Sequence, residues 1–314
     1  MAMMNPTRKE VVLMNRDGVS LTATILSSSP NDADCDFATI DYDDHHDKDN
    51  DTSHHSSTSR IVILTIALNR HHEKNVINPR MISLLTQALD VIDSHPSVTN
   101  TYDKALIITG LSASNGKSDE GGSSKFFSNG LDLQWMRHAS SSSNVSKMIE
   151  SFNAQVLARI LILPFRTIAA INGHCIGAGL FLALACDYRI MRTERGYLQW
   201  PEARLGMRLT KGFMELSKAK IRADDVLREG ILTAKRYSPN EALASRIIDA
   251  MYPMEELFSR ACQLAISGMP MFPKGMNLEH FNPEAYSVLK IEMYTDAYRA
   301  LTLGKIDDLP HSKI

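Results

Sequence analysis

The sequence is poor in cysteine and tryptophan, with four and two residues in 314. The cysteines (Cys35, Cys175, Cys186 and Cys262) are scattered and show no Cys-x-x-Cys spacing. That argues against a disulfide framework and fits reduced thiols in a reducing compartment. A charge excess of either sign is also missing: the formal net charge is −2 and the pI is near 6.6. Nothing there suggests nucleic acid or an acidic membrane surface as a partner. No segment reaches the roughly 18 uninterrupted apolar residues of a membrane span, since Pro164 and Arg166 break Ile160–Ile171. The opening MAMMNPTRKE lacks the apolar core of a secretory signal. What remains is ordinary for a soluble globular protein, with 44% apolar and 22% charged residues. The length suits one large domain or two small ones.

The chain is organised around Ala169–Asp187, AAINGHCIGAGLFLALACD. It reads as a buried strand ending at Ile171, a glycine-bearing turn and a buried helix from Leu180. The first N–H groups of a helix lack internal partners and lie at the positive end of its dipole. Such a turn can aim backbone N–H groups at a developing negative charge. Taken alone, it reads more readily as a close strand–helix packing turn, since a lone glycine pattern is a weak signal.

Around this centre the sequence alternates strand and helix, then becomes mostly helical. Two β-prone runs flank Asp17-Gly18, a hairpin signal within Glu10–Leu26. Ser27–Ser59 is acidic and rich in serine and histidine. It has too little apolar periodicity to offset ordering entropy, so it reads as a disordered insertion. Ile61–Leu68 and Ala105–Thr109 read as buried strands joined by a helix over Arg80–Asp93, a right-handed parallel crossover. Leu111–Lys125 is a Ser/Gly-rich loop. Met148–Leu163 reads as one amphipathic helix, Asp187–Met191 as a strand and Gly196–Arg204 as a loop. Further helices are expected over Phe213–Ala219, Asp224–Glu229, Ser238–Ser245, Glu255–Ser267 and Pro283–Leu303. The final Ser312-Lys313-Ile314 is one apolar swap from the peroxisomal address Ser-Lys-Leu.

Three stretches together resemble the crotonase superfamily, also called the enoyl-CoA hydratase/isomerase family. They are TIALNRHHEKNVINPRMISLLTQAL, KFFSNGLDLQWM and AAINGHCIGAGLFLALACDYRIM. Their order and spacing carry the resemblance, which covers about Ile61–Tyr252. His71 and Asn75-Val76 depart from the usual proline and Asn-Ala. KFFSNGLDL and RTERGYLQWPEARLGM are most similar to the plant-type peroxisomal Δ3,Δ2-enoyl-CoA isomerases. The resemblance implies an α/β fold, the crotonase spiral of ββα turns with a helical C-terminal region. It divides the chain into an N-terminal hairpin (1–26), the insertion (27–59), the spiral (60–252), a helical trimerisation region (253–311) and a targeting tail (312–314). It also implies a homotrimer or dimer of trimers, an acyl-CoA thioester as substrate, and no cofactor or metal. With the tail, it implies peroxisomal localisation through an import receptor, the cytoplasm or mitochondrion being the alternative.

By the same resemblance, the backbone N–H groups of Leu131 and Ala178 form an oxyanion hole for a thioester enolate. Family hydratases use two glutamates. The position of the first carries Phe181, which cannot move a proton. The second falls in Gln199-Trp200-Pro201-Glu202, which leaves Glu202 as a single base suited to a 1,3 proton shift. Phe181 and Trp200 are expected to make the site drier, and a dry site raises a carboxyl pKa. Asn75, Val76, Ser128, Asn129, Gly130 and Gly177 are expected to line the substrate site, with Asp132 beside them as the cap of a helix from Leu133. Asp187 is expected to be structural. Lys74 or Lys125 could meet a CoA phosphate as point charges. His71, His72 and His174 are assigned no catalytic position. The alternatives are a hydratase, another crotonase-fold enzyme, or a non-catalytic CoA-binding scaffold.

Overall fold

The β-branched apolar runs become the middle of a large sheet because every strand there must bury two faces. A computed structural model describes residues 7–27, 60–95, 103–110, 125–267 and 282–304. The insertion from 28, the Ser/Gly-rich stretch 111–124 and Ser312-Lys313-Ile314 lie outside the described residues. Asp17-Gly18 turns an antiparallel hairpin of β1 (Thr7–Arg16) and β2 (Val19–Ser27). Antiparallel to β2 runs β3 (Arg60–Leu68). A crossover helix, α1 (Pro79–Ser94), leads to β4 (Asp103–Thr109), parallel to β3. The chain then leaves for a second sheet through β5 (Phe126–Ser128). It returns as β6 (Arg166–Ile171), leaves as β7 (His174–Ile176) and returns as β8 (Tyr188–Arg192). It leaves again as β9 (Leu198–Gln199) and β10 (Arg236–Tyr237), and closes the first sheet with β11 (Ala250–Tyr252). The seven-stranded order is β1-β2-β3-β4-β6-β8-β11, and the four-stranded order is β10-β9-β7-β5. These are the spiral turns the resemblance implies.

Alternation along the strands sorts side chains between two cores. Leu64, Ile66, Leu106, Ile108, Ala169 and Ile171 face the main core. Ile63, Ala105, Ile107, Ile168 and Ala170 face a smaller one, covered by Leu257, Ala261, Leu264 and Ala265 of a helix over Met254–Ser267. The apolar stripe of α1 is buried as its spacing predicts, at Met81, Leu84, Leu85, Ala88, Leu89 and Ile92. The capping box of Ser238 and Glu241 starts the helix at Pro239.

Several elements depart from expectation. The helix expected over Met148–Leu163 begins at Ser142, capped by Ser141, and passes through a π-helical segment, Phe152–Leu157, before ending at Ile162. The turn after Ile171 contains β7, and Gly196–Arg204 contains β9 and the start of a one-turn helix, Glu202–Leu205. Strands of two or three residues are too short to show a period. Pro283–Leu303 breaks at Tyr294 into Pro283–Met293 and Thr295–Leu303. The Tyr294 ring there receives Lys220 Nζ at 4.0 Å, a tertiary contact invisible to helical spacing.

Asp187 is structural. Its carboxylate accepts from Thr167 N–H (2.9 Å) and pairs with Lys290 Nζ (2.8 Å). Buried Lys290 also donates to the Leu163 and Phe165 carbonyls at 3.0 Å each, tying the helix from Pro283 to the spiral. Removing one member of a buried pair leaves a charge without its partner. Lys290→Met is therefore expected to lose about 3 kcal/mol of stability in urea unfolding, and Lys290→Met/Asp187→Asn to regain part of it.

Candidate active site

Two backbone segments meet at one end of the second sheet. In the first, the loop 74–78 lies against 128–132. Lys74 and Asn75 adopt left-handed backbone (φ 57° and 51°), which turns the loop back on itself. Asn129 N–H donates to the Lys74 carbonyl (3.0 Å), Ile77 N–H to the Gly130 carbonyl (2.7 Å), and Asp132 N–H to the Ile77 carbonyl (2.9 Å). Fully buried Asn75 donates through Nδ2 to the Phe127 carbonyl (3.1 Å). The Ser128 hydroxyl donates to the Asn75 carbonyl (2.7 Å) and accepts from Gly130 N–H (3.2 Å). Leu131 N–H takes no partner among the described residues and faces away from Ile77 across their bridge.

In the second segment, β7 ends at Ile176, Gly177 is the N-cap, and a helix runs over Ala178–Ala185 with every residue buried. Gly177 N–H donates to the Gln199 carbonyl (3.0 Å) and its own carbonyl accepts from Phe181 N–H (3.0 Å). Ala178 N–H, the first of the helix, has no partner among the described residues and lies at the positive end of the helix.

Glycine brings the two segments together. A β-carbon on Gly130 (φ 86°) would stand 2.7 Å from Ile176 O and 3.2 Å from Ala178 N. One on Gly179 would stand 2.6 Å from Ser128 Cβ. The 2.7 and 2.6 Å distances are below contact, so a larger residue at either point must push the strand and the helix apart. Leu131 N–H, one residue from Gly130, and Ala178 N–H thus share one small region.

Glu202 stands over that region. Its helix starts directly after Pro201, and Oε1 lies 3.8 Å from the point a β-carbon would occupy on Gly177. Oε2 is buried without a hydrogen-bond partner among the described residues. Burial pushes its pKa up to about 7, against a weaker opposing hydrogen bond from its own backbone N–H. A carboxyl in this state is poised to exchange a proton near neutral pH.

Two expected substrate contacts are placed elsewhere, and Asp132 takes the capping role expected of it. Phe181 has no exposed surface and stacks on Phe213, with centroids 4.1 Å apart and planes at 9°. Trp200 is also fully buried, donating through Nε1 to Ser217 Oγ (3.1 Å) and meeting Tyr237 edge-on. Both belong to the main core behind the site. Helical spacing turns the Phe181 ring inward, and the chain reverses between Trp200 and Glu202. Asp132 is committed to capping the helix Leu133–His138, where it accepts from Trp135 N–H (2.9 Å), and to Asn78 Nδ2 (3.1 Å). Val76 and Asn129 are half-buried beside the site, and Lys74 and Lys125 are exposed. His174 is wedged between Phe126 (5.0 Å) and Tyr197 (4.4 Å), and burial, with Arg195 and Arg236 nearby, lowers its pKa. Cys175 and Cys186 are fully buried, which pushes both thiols up, Cys186 to about 12. Among the described residues no group of three His, Cys, Asp or Glu could hold a metal ion. Two surface cavities, of about 680 and 350 Å³, lie against Ile221 and Leu227 and against Ile82 and Thr86; neither is lined by a residue of this site.

The residue that sequence reasoning passed over is Asn78. An Asn-Pro pair opening a helical stripe is a start signal, but nothing in the spacing reveals its second contact, to Asp132.

Comparison with known proteins agrees with this architecture. Residues 59–274 match the family model described as Enoyl-CoA hydratase/isomerase, and the chain belongs to that family. It is 43% identical over 137 residues to the peroxisomal enoyl-CoA delta isomerase 2 of Arabidopsis thaliana, a match spanning 42% of this chain and 57% of the relative. It is 32% identical over 184 residues to enoyl-CoA delta isomerase 3 of the same plant, covering 58% and 74%. The fold matches the crystal structure of a probable enoyl-CoA hydratase of Mycobacterium tuberculosis at a TM-score of 0.62 and 24% identity, over 78% and 89% of the two chains. This is the crotonase fold.

Two outcomes follow. Gly130→Ala should fold with a loss of about 1–3 kcal/mol, read from its urea midpoint, as the added β-carbon pushes the strand and the helix apart. In the folded state Glu202 keeps its proton to higher pH than in the unfolded chain. Its contribution to stability is therefore full below about pH 4.5 and is lost as pH rises through about 7. Between pH 5 and pH 8 the wild type should lose on the order of 2–3 kcal/mol relative to Glu202→Gln, measured by urea midpoints.

Proposed function

We propose that the chain is a Δ3,Δ2-enoyl-CoA isomerase that moves a 3-enoyl-CoA double bond into conjugation with the thioester. The observation that carries this reading is a single half-buried carboxylate, Glu202, with its Oε2 buried, set over two amides that have no partner among the described residues. The thioester carbonyl accepts from Leu131 N–H and Ala178 N–H, and the oxygen gains charge as C2 loses a proton to Glu202. The same carboxyl returns that proton to C4 of the dienolate, and the double bond lies between C2 and C3. No net proton is gained or lost, so one carboxyl suffices. Hydration requires a second group to hold and activate water, and the matching position carries Phe181, which lies in the core. That favours isomerisation over hydration, and the names of the two plant relatives point the same way.

The reading includes β-oxidation of unsaturated acyl chains as the setting, and a homotrimer or dimer of trimers as the assembly. Peroxisomal import through Ser312-Lys313-Ile314 accords with the peroxisomal relative.

Incubation with trans-3-hexenoyl-CoA should yield the conjugated 2-enoyl thioester, seen by ultraviolet absorbance, with no mass gain from water. Glu202→Gln should lose at least a factor of about 10³ in kcat, within the range for a general base. The wild-type kcat/KM should rise with pH about a midpoint near 7, where Glu202 ionises. A hydrated product would overturn the single-base reading, and an active Glu202→Gln would remove Glu202 from the mechanism.

A further inference from the structure

Leu131 N–H belongs to the same peptide plane as the Gly130 carbonyl. In a trans peptide the two point in opposite directions. Ile77 N–H, donating to that carbonyl at 2.7 Å, therefore aims Leu131 N–H the other way, into the site. The direction of one oxyanion donor is set by where Ile77 is held.

Ile77 is followed by Asn78, which is 9% exposed and holds two helix starts together. Its Oδ1 accepts from Met81 N–H (3.1 Å), capping the helix over Pro79–Ser94. Its Nδ2 donates to Asp132 Oδ2 (3.1 Å), and Asp132 Oδ1 caps the helix over Leu133–His138 through Trp135 N–H (2.9 Å). Each cap thus uses one atom on its own helix and one on the other cap. The two helices differ in what else holds them. The first has seven buried residues, whereas the second has six residues in all and none of them buried. Trp135 and Met136 are only partly buried against the main core, so the chain leaving Leu131 leans more heavily on its hydrogen bonds.

We propose that Asn78 is a positioning residue for the Leu131 amide, acting through its side-chain clip to Asp132. The inference rests on the reading of Leu131 as an enolate donor. Asn78 touches neither substrate nor the reacting atoms. It joins the well-anchored helix to the weakly anchored one across the bridge that aims the amide.

The clip has a donor side and an acceptor side, and exchanging them tests it. Asn and Asp are comparable N-caps, so both helix starts survive each change. Asn78→Asp sets two carboxylates face to face, Asp132→Asn sets two amides face to face, and Asn78→Asp/Asp132→Asn restores one donor and one acceptor. The readouts are kcat and KM on trans-3-hexenoyl-CoA, the ultraviolet band of bound acetoacetyl-CoA enolate, and the thermal midpoint. Each single variant should lose about ten- to a hundredfold in kcat, the scale of a misplaced group, with KM changed by less than about threefold and a weakened enolate band. The exchanged double variant should recover kcat to within about threefold of wild type together with the band. Single variants with wild-type kcat and band would overturn the proposal. So would a double variant as impaired as the singles, since each side chain would then act alone. If wild type fails to isomerise yet binds acetoacetyl-CoA as the enolate, the functional reading fails and the band still tests the clip. Absence of that band in wild type overturns the donor role and the clip together.

Discussion

The structure depends on a close approach of backbone to backbone. Gly130 faces Ile176 and Ala178 at distances that leave no room for a β-carbon, and Gly179 faces Ser128 in the same way. The spiral makes this approach possible. Each turn carries one strand in the large sheet and one in the small, so β5 and β7 lie side by side and their outgoing ends meet. Two amides without partners among the described residues, from segments nearly fifty residues apart, then share one small region. A donor pair built from main chain is rigid and already in place, so little reorganisation accompanies the appearance of charge on an oxygen between them.

The charge balance of the site follows from burial rather than from partners. Glu202 has an oxygen without a hydrogen bond among the described residues, and desolvation dominates its raised pKa. A carboxylate paired with a cation would hold its proton less tightly and would be the weaker base. The large aromatics take part indirectly. Phe181 and Trp200 fill the core behind the helix over Ala178–Ala185 and behind the turn at Pro201, so they support the platform from behind. Asp187 and Lys290 secure the far side of the spiral to the helix from Pro283.

Most of the framework was legible in the sequence. Ile61–Leu68 and Ala105–Thr109 announced buried parallel strands, and the α1 stripe was buried residue by residue as its spacing predicts. The glycines flanking Ala178, and Asp132 as a cap, were visible because their chemistry is local. What stayed hidden was tertiary. The strands β7 and β9 are too short for any period, and the lysine that sits over the Tyr294 ring at the helix break lies 74 residues away. The inward turn of Phe181 and Trp200 could not be told from motif position, because a motif states which residue follows which and not where a ring points. Asn78 shows the same limit, since its cap is readable and its bond to Asp132 is not.

The central proposal is that Leu131 N–H and Ala178 N–H jointly polarise a thioester carbonyl, and that the close approach at Gly130 is required for it. The most direct measurement is the Raman difference spectrum of the carbonyl of bound 2,4-hexadienoyl-CoA. The account predicts a lowered carbonyl stretch in wild type, the same lowering in Glu202→Gln because the donors are main chain, and its loss in Gly130→Ala. An unshifted carbonyl in wild type, or a shift that survives in Gly130→Ala, would contradict it.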